Sequence, residues 1–381
     1  MERLNLKLPV ILLSLPHSLL GVVLQIYAAE LGFDPIETTG LFWVFSMLVL
    51  GIRLFSGRFT DRVGRRNTFL LACGFYTLSY FVFSISATLP MLYLARVIQA
   101  FGAALYITAC YSMIGDISSD DFGRNFGAFT GYRSKGGLYG MAVSGISFAG
   151  VSFIAGWSRM FAIFAIAGVA AVLVAVKNVP ETKKSTASEQ VKIKLPSDKK
   201  PVLWVYLFAC IANCMANVVL VMYLNAKFQP RFEQVALTFI AAIAVVAFII
   251  PRAGRMIDSF GSFKAMMFSM LLSAASLLLL IFADSLVLFG AIWTGYSIAV
   301  AILITSIDAL YSYGIEDINR GSMMSKYISV SDAGAMIGSA LTGVLFKALG
   351  MYATFLVAAL LFGTLCALSW VYMKGHIKIA Q

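Results

Sequence analysis

GRFTDRVGRR, residues 57–66, places four arginines, an aspartate and two glycines inside a sequence that is otherwise apolar on both sides. Its neighbours, 36–56 and 67–87, are each close to the ~20 apolar residues that one helix needs to cross a bilayer core. The chain repeats that alternation throughout. Of its 381 residues, 60% are hydrophobic and only 12% charged, where a soluble domain carries about a quarter. Runs such as LPVILLSLPHSLLGVVLQIYAA (8–29), FIAAIAVVAFII (239–250) and MFSMLLSAASLLLLIFA (267–283) leave too little polar surface to face water. The sequence is that of an integral membrane protein.

Polar breaks divide it into twelve expected spans, near 7–29, 36–56, 67–87, 90–114, 125–149, 155–177, 202–225, 233–252, 263–283, 286–312, 321–346 and 350–373. The first is longer than the ~7–15 apolar residues of a signal peptide and lacks a small-residue cleavage context, so it is expected to stay as a helix. With the N-terminus inside, Arg3, Lys7, the decapeptide, Arg124, the 178–201 loop, Arg252, Arg255, Lys264, Arg320, Lys374 and Lys378 all fall on the inner side. Only Arg159, Lys227, Arg231 and Lys347 fall outside. Basic loops stay cytoplasmic, so both termini are expected there, and the net charge of +11 follows from topology without a nucleic-acid partner. Cys73, Cys110, Cys210, Cys214 and Cys366 all lie in apolar runs without a CxxC, and with two histidines they offer no structural metal site.

The lysine-rich loop NVPETKKSTASEQVKIKLPSDKKP (178–201) separates halves that resemble each other. Gly57-x-x-x-Asp61-x-x-Gly64 returns as Gly254-x-x-x-Asp258-x-x-Gly261, 197 residues later, and SSDDFGRNFG around Arg124 is echoed by GIEDINRGSM around Arg320, offset by 196. The expected domains are a six-helix bundle over 1–177, a cytoplasmic linker over 178–201 and a second bundle over 202–381. Such a six-plus-six repeat is a transporter architecture, in which two bundles rock about a site near the midplane.

These residues resemble the major facilitator superfamily, whose signature between its second and third helices is G-x-x-x-D-R-x-G-R-R. Gly57, Asp61, Arg62, Gly64, Arg65 and Arg66 match it without a gap. The resemblance covers essentially the whole chain and implies an all-α membrane protein of twelve transmembrane helices in two pseudo-symmetric bundles. The spacing also has a physical meaning. Gly57 at a helix end lets another helix approach closely, and Asp61 is an anion suited to the positive N-terminal end of a helix. The arginines can pair with acids at helix ends, Asp116 being the candidate. Together with Gly254, Asp258 and Gly261 they are expected to form a conformational latch. Arg96-Val-Ile-Gln99-Ala100-Phe-Gly102 is similar to the R-x-x-Q-G-x-G of proton-coupled members, with Ala100 for a glycine. Gly127-x8-Gly136-x3-Gly140-Met141-x2-Ser144-Gly145 resembles the antiporter motif of the fifth helix, with Met141 for its proline and Ser144 for a glycine.

Ionisable and strongly polar groups within membrane helices mark functional sites by default. On the fourth span Arg96, Gln99, Ala103, Tyr106 and Cys110 share one stripe. The resemblance implies that the first, fourth, seventh and tenth spans line a cavity. The first span carries Ser14, His17, Gly21 and Gln25 on one face, and the seventh Asn213 and Asn217. An imidazole titrates near neutral pH and can exchange a proton, or it can be satisfied by a carbonyl or a water. Asp308 and Asp332 are the intramembrane acids; each can take up a proton, bind a cationic group or neutralise a buried base. The bases are Arg53, Arg96, Arg133, Lys135 and Lys326, and Arg133 and Lys135 lie roughly 200° apart on a helix. Bases outnumber acids, which points to carboxylate or phosphate character in the solute.

No HExxH, Walker loop, GxGxxG or nucleophile elbow occurs, and no cytoplasmic segment is long enough for a catalytic domain. No cofactor is implied, and energy has to come from an ion gradient or the solute's own. The expected function is proton-coupled export of a small organic solute by a monomer in a bacterial inner membrane. Import or uniport of an organic anion, or flipping of an amphipathic lipid-like solute, is the alternative, and a non-transporting sensor on the same fold comes third.

Overall fold

The structure, a computed structural model, describes residues 5–17, 19–33, 35–118, 121–183, 199–228, 232–313, 315 and 320–373. Its elements are all helical: α1 (Lys7–Leu13), α2 (Leu20–Glu30), α3 (Pro35–Val63), α4 (Arg65–Ile85), α5 (Leu89–Ile117), α6 (Phe122–Phe148), α7 (Phe153–Asn178), α8 (Lys200–Phe228), α9 (Phe232–Phe260), α10 (Ser262–Ile281), α11 (Leu286–Ser312) and α12 (Arg320–Met373). Most of the 178–201 linker, residues 184–198, lies outside the described residues.

The expected spans meet these elements with two adjustments. The first is broken into α1 and α2, because Pro16 has no N–H to continue the ladder. A turn replaces it, with the His17 N–H bonded to Ser14 O at 3.0 Å and the Leu20 N–H to Pro16 O at 3.0 Å. The last two spans run on as α12, interrupted at Gly350, whose φ of 80° and ψ of −178° are not helical. Among the described residues ten helical segments are long and apolar enough to cross a membrane. The two expected spans missing from that set are the broken first one and α6, which is too polar.

The chain clusters into two compact units. Unit 1 is Met1–Ile117, Tyr132–Val191 and Glu316–Ile328; unit 2 is Ser118–Gly131, Lys192–Ile315 and Ser329–Gln381. Hence α6 and α12 each change unit along their length.

In unit 1 an aromatic cluster centred on Trp157, Tyr27, Tyr80, Phe83, Phe161 and Phe164 fills the space between helices, with Tyr27 stacked on Trp157 at 4.1 Å. Its polar atoms have a task. The last carbonyls of a helix have no partner within the helix, and inside a membrane there is little water to take their place. At the end of α4, Trp157 Nε1–H donates to Phe83 O (2.8 Å), the Ser158 hydroxyl to Ser84 O (2.6 Å) and the Tyr27 hydroxyl to Ser86 O (2.6 Å). Unit 2 solves the same problem with Tyr223, 196 positions after Tyr27. Its hydroxyl donates to Leu280 O at 2.8 Å, at the end of α10.

The repeat also governs close packing. In unit 1 a Cβ on Gly136 would stand 2.5 Å from Ile11 O, and one on Gly140 would collide with Leu15 O; in unit 2 one on Gly334 would stand 2.9 Å from Leu207 O and one on Gly338 2.7 Å from Ile211 O. Both glycine pairs are offset by 198 and both carbonyl pairs by 196. Small residues let these backbones touch, as they do between membrane helices generally.

Candidate functional site

Two constellations stand out, one at helix ends and one within unit 1. The first is built by the decapeptide. Gly64, at φ 101°, allows α3 to finish at Val63 and α4 to begin at Arg65 without a linker. This turn leaves Asp61 on the last turn of α3, facing the first turn of α12. Asp61 Oδ1 accepts the Gly321 N–H (2.9 Å), while Oδ2 accepts the Ser322 N–H (2.8 Å) and the Ser322 hydroxyl (2.6 Å). A helix N-terminus offers unpaired N–H groups and the positive end of its dipole, and the carboxylate answers both. Gly57 makes the approach possible: a Cβ there would lie 2.6 Å from Ser322 Cα.

Unit 2 holds the counterpart. Asp258 accepts the Gly123 N–H at 2.7 Å and the Arg124 N–H at 2.8 Å, on the first turn of α6. A Cβ on Gly254 would lie 2.5 Å from Gly123 O, and Gly261 repeats the turn of Gly64 at φ 87°. The equivalence runs Gly123 to Gly321 and Arg124 to Ser322, an offset of 198. The sequence echo had matched Arg124 with Arg320, two residues out of step. The two arginines have different neighbours, Arg124 facing Asp121 at 3.7 Å and Arg320 facing Asp116 at 3.0 Å.

Around the Asp61 contact lies a buried charge network. Arg65, fully buried, reaches Asp61 at 3.3 Å and Asp116 at 3.3 Å. Asp116 therefore sits between two guanidinium groups, and Thr182 Oγ1 donates to it at 2.6 Å. Two carboxylates and two guanidiniums balance, as buried charge must. Glu181 accepts the Arg65 N–H (3.0 Å) and the Arg66 N–H (3.2 Å), closing the N-terminus of α4. Arg66 closes the other polarity: its Nε donates to Val179 O at 2.9 Å and its Nη2 to Val176 O at 2.7 Å, at the end of α7. Arg62 is exposed. Sequence reasoning left out Glu181 and Thr182, although the acid and hydroxyl directly after the sixth span were a usable signal. Unit 2 has Ser262 where Arg65 stands and Tyr313 where Asp116 stands, each 197 residues on, so its contact is the simpler one.

The second constellation is a cavity of about 330 Å³ whose lining belongs to unit 1 throughout. Five of the expected cavity residues meet there: His17, Arg96, Gln99, Tyr106 and Arg133. Arg96 Nη1 donates to Gln99 Oε1 at 2.8 Å, and its guanidinium lies over the rings of Phe42 (4.8 Å) and Phe45 (4.6 Å). Arg133 Nη2 stands 3.1 Å from His17 Nε2. A guanidinium only donates, so the imidazole accepts through Nε2 and keeps its proton on Nδ1. Phe42, Phe45, Tyr76 and Tyr80 complete the wall. Sequence analysis missed them because a ring on a membrane helix carries no mark of facing a cavity rather than lipid.

The remaining expected residues lie elsewhere. In unit 2 the Tyr296 hydroxyl donates to Asn213 Oδ1 (3.1 Å), which also accepts from Asn217 Nδ2 (3.0 Å). Asp308 is buried in α11, and Asp332 is half-buried on α12. The Gln25 side chain lies outside the described residues.

Comparison with known proteins places the chain. The model of the Major Facilitator Superfamily matches residues 10–249 and 202–377. The chain is 24% identical over 356 residues to the quinolone resistance protein NorA of Staphylococcus aureus strain MRSA252, covering 88% of each chain. It is 22% identical over 366 residues to multidrug resistance protein 1 of Bacillus subtilis strain 168, covering 91% of each. Its fold superposes on the human organic anion transporter MFSD10 with a TM-score of 0.80 at 18% identity, over 96% of this chain and 97% of the other.

Proposed function

This chain belongs to the Major Facilitator Superfamily and is a multi-pass membrane transporter; on that premise we propose that it exports a small organic solute from a bacterial cytoplasm in exchange for protons. The observation that carries the reading is the pair of aspartate contacts, Asp61 on α12 and Asp258 on α6. A carboxylate on the N–H groups of a helix N-terminus is held there by a few hydrogen bonds, which can be released and remade. Two such contacts, related by the internal repeat, suit a transporter whose repeated bundles rock about a central site. Relatives named for quinolone and multidrug resistance favour outward transport of organic molecules. Asp308, buried in α11, is the proposed proton carrier, and the lysine- and arginine-rich loops favour a cytoplasmic side for both termini.

The test is flux into inverted membrane vesicles, whose lumen corresponds to the cell exterior. Acidifying the lumen should drive solute accumulation, and dissipating the proton gradient should stop it. A second reading, uniport of an organic anion, is favoured by the basic cavity of unit 1. Flux that ignores the proton gradient but follows the solute's own would establish that reading instead.

A further inference from the structure

We propose that the unit 1 cavity binds an aromatic organic anion, its carboxylate between Arg96 and Arg133 and its ring system against Phe42, Phe45, Tyr76 and Tyr80. The proposal rests on the transporter reading above and names the class of solute it moves.

Three observations carry it. First, the cavity is one-signed: among the described residues its lining includes two guanidiniums and an imidazole, and no carboxylate. Second, Arg96 is 4% exposed, and its Nε has no hydrogen-bond partner although its Nη1 does. A buried guanidinium donor without an acceptor is costly, and an entering carboxylate satisfies it, since the guanidinium fork matches carboxylate geometry. Third, the repeat supplies an internal control. α5 begins at Leu89 and α11 at Leu286, 197 residues on, which sets Trp293 and Tyr296 at the places of Arg96 and Gln99. The 196 and 198 offsets of the other helices set Asn213 at the place of His17 and Ser331 at that of Arg133. One architecture is thus built twice, and only one copy carries these cations. Folding does not demand them, so they serve what enters.

The cavity is also of ligand size. Small-molecule sites run from about 300 Å³ upward and combine apolar walls with a few placed polar groups. Five aromatic rings fit a flat ring system better than a flexible chain, because ring pairs gain from offset and edge-on contacts. The neutral His17, accepting from Arg133, orients that guanidinium without cancelling its charge. Exporting a monoanion while importing a proton moves charge in the direction an inside-negative potential favours on both counts.

The experiment measures binding to the purified, detergent-solubilised full chain by titration calorimetry. Three probes share the naphthalene ring and carry a negative, a neutral and a positive substituent: 1-naphthoate, 1-naphthamide and 1-naphthylmethylammonium. Butyrate tests the need for the ring. Naphthoate should bind at least tenfold more tightly than the other three. Arg133→Gln and Arg96→Gln should each weaken it by about tenfold or more, Arg133→Lys by less, and Lys264→Gln, a change on an exposed cytoplasmic lysine, not at all. The thermal midpoint of each variant, with Arg133→Lys as the charge-keeping check, separates lost binding from lost folding. Equal binding of the amide or the ammonium, or an unchanged naphthoate affinity in Arg133→Gln, overturns the proposal. If naphthoate binds but its flux ignores the proton gradient, the substrate class stands and the coupling falls. If a cation is exported against a proton gradient while naphthoate fails to bind, the reverse holds.

Discussion

Thr182 Oγ1 donates a 2.6 Å hydrogen bond to Asp116, and by that bond the start of the 178–201 linker touches the charge network beneath Asp61. Glu181, one residue earlier, closes α4. The start of the linker is therefore tied to the residues that hold Asp61 on α12.

Loosening that tie should be measurable. A hydrogen bond to a charged group contributes about 1.5–3 kcal/mol. Thr182→Val should lower the thermal midpoint by a few degrees and reduce transport several-fold, whereas Thr182→Ser should keep both. A Thr182→Val protein with normal flux and stability would show that the linker only packs there.

The two aspartates should differ in weight. Asp61 is backed by Arg65, Asp116 and Arg320, while Asp258 has backbone N–H partners and an exposed Arg124 near Asp121. Asp61→Asn leaves the network with an uncompensated charge, a mechanism known for large losses. Flux in inverted vesicles should fall by roughly tenfold or more for Asp61→Asn and by clearly less for Asp258→Asn, given the ~1.5–3 kcal/mol of charge-assisted bonding at stake. Equal losses would mean that the buried network adds nothing.

Gly57→Ala offers a steric test. The added methyl would press on the backbone of Ser322 at 2.6 Å, which cannot swing aside as a side chain can. Overpacking of this kind costs about 1–3 kcal/mol, and here it falls on the α3–α12 contact, so flux should drop while the helices stay folded by circular dichroism. Gly51→Ala, two turns earlier with nothing within 4 Å, should be silent or slightly stabilising, since alanine is the better helix former.

Asp308→Asn keeps the size of a group that is 1% exposed and removes its capacity to ionise. If it carries the proton, gradient-driven accumulation should be lost while counterflow, the exchange of labelled for unlabelled solute, persists. Intact gradient-driven accumulation in Asp308→Asn would exclude it as the carrier.

Much of this was legible in the sequence. Twelve spans are expected from polar breaks, ten of them long and apolar enough to cross a membrane among the described residues, and the Gly57–Asp61–Gly64 spacing with its echo at 254–261 located both aspartate contacts. Of the stripe Arg96, Gln99, Ala103, Tyr106 and Cys110, Arg96, Gln99 and Tyr106 line one cavity. Legibility failed where position depends on a partner rather than a period. Pro16 breaks the first span, yet a proline alone does not tell a kink from a break. Phe42 and Phe45 matter because Arg96 lies over them, and that is decided by how α3 meets α5. Glu181 and Thr182 act on groups over 60 residues away, a distance over which local pattern carries no signal. Register was the subtler failure: Arg124 and Arg320 align by letter and not by role.

The polarity of α6 has a consequence for how the protein is made. A helix carrying Arg133, Lys135 and a ladder of glycines gains little by entering lipid on its own, since basic residues at a helix centre each disfavour insertion by about 2.5–3.5 kcal/mol. It needs company on arrival: Ile11 and Leu15 to receive Gly136 and Gly140, and His17 to receive Arg133. Biogenesis and recognition thus draw on the same side chains, and the guanidinium that equips the cavity is also what makes its wall depend on earlier helices for entry into the membrane.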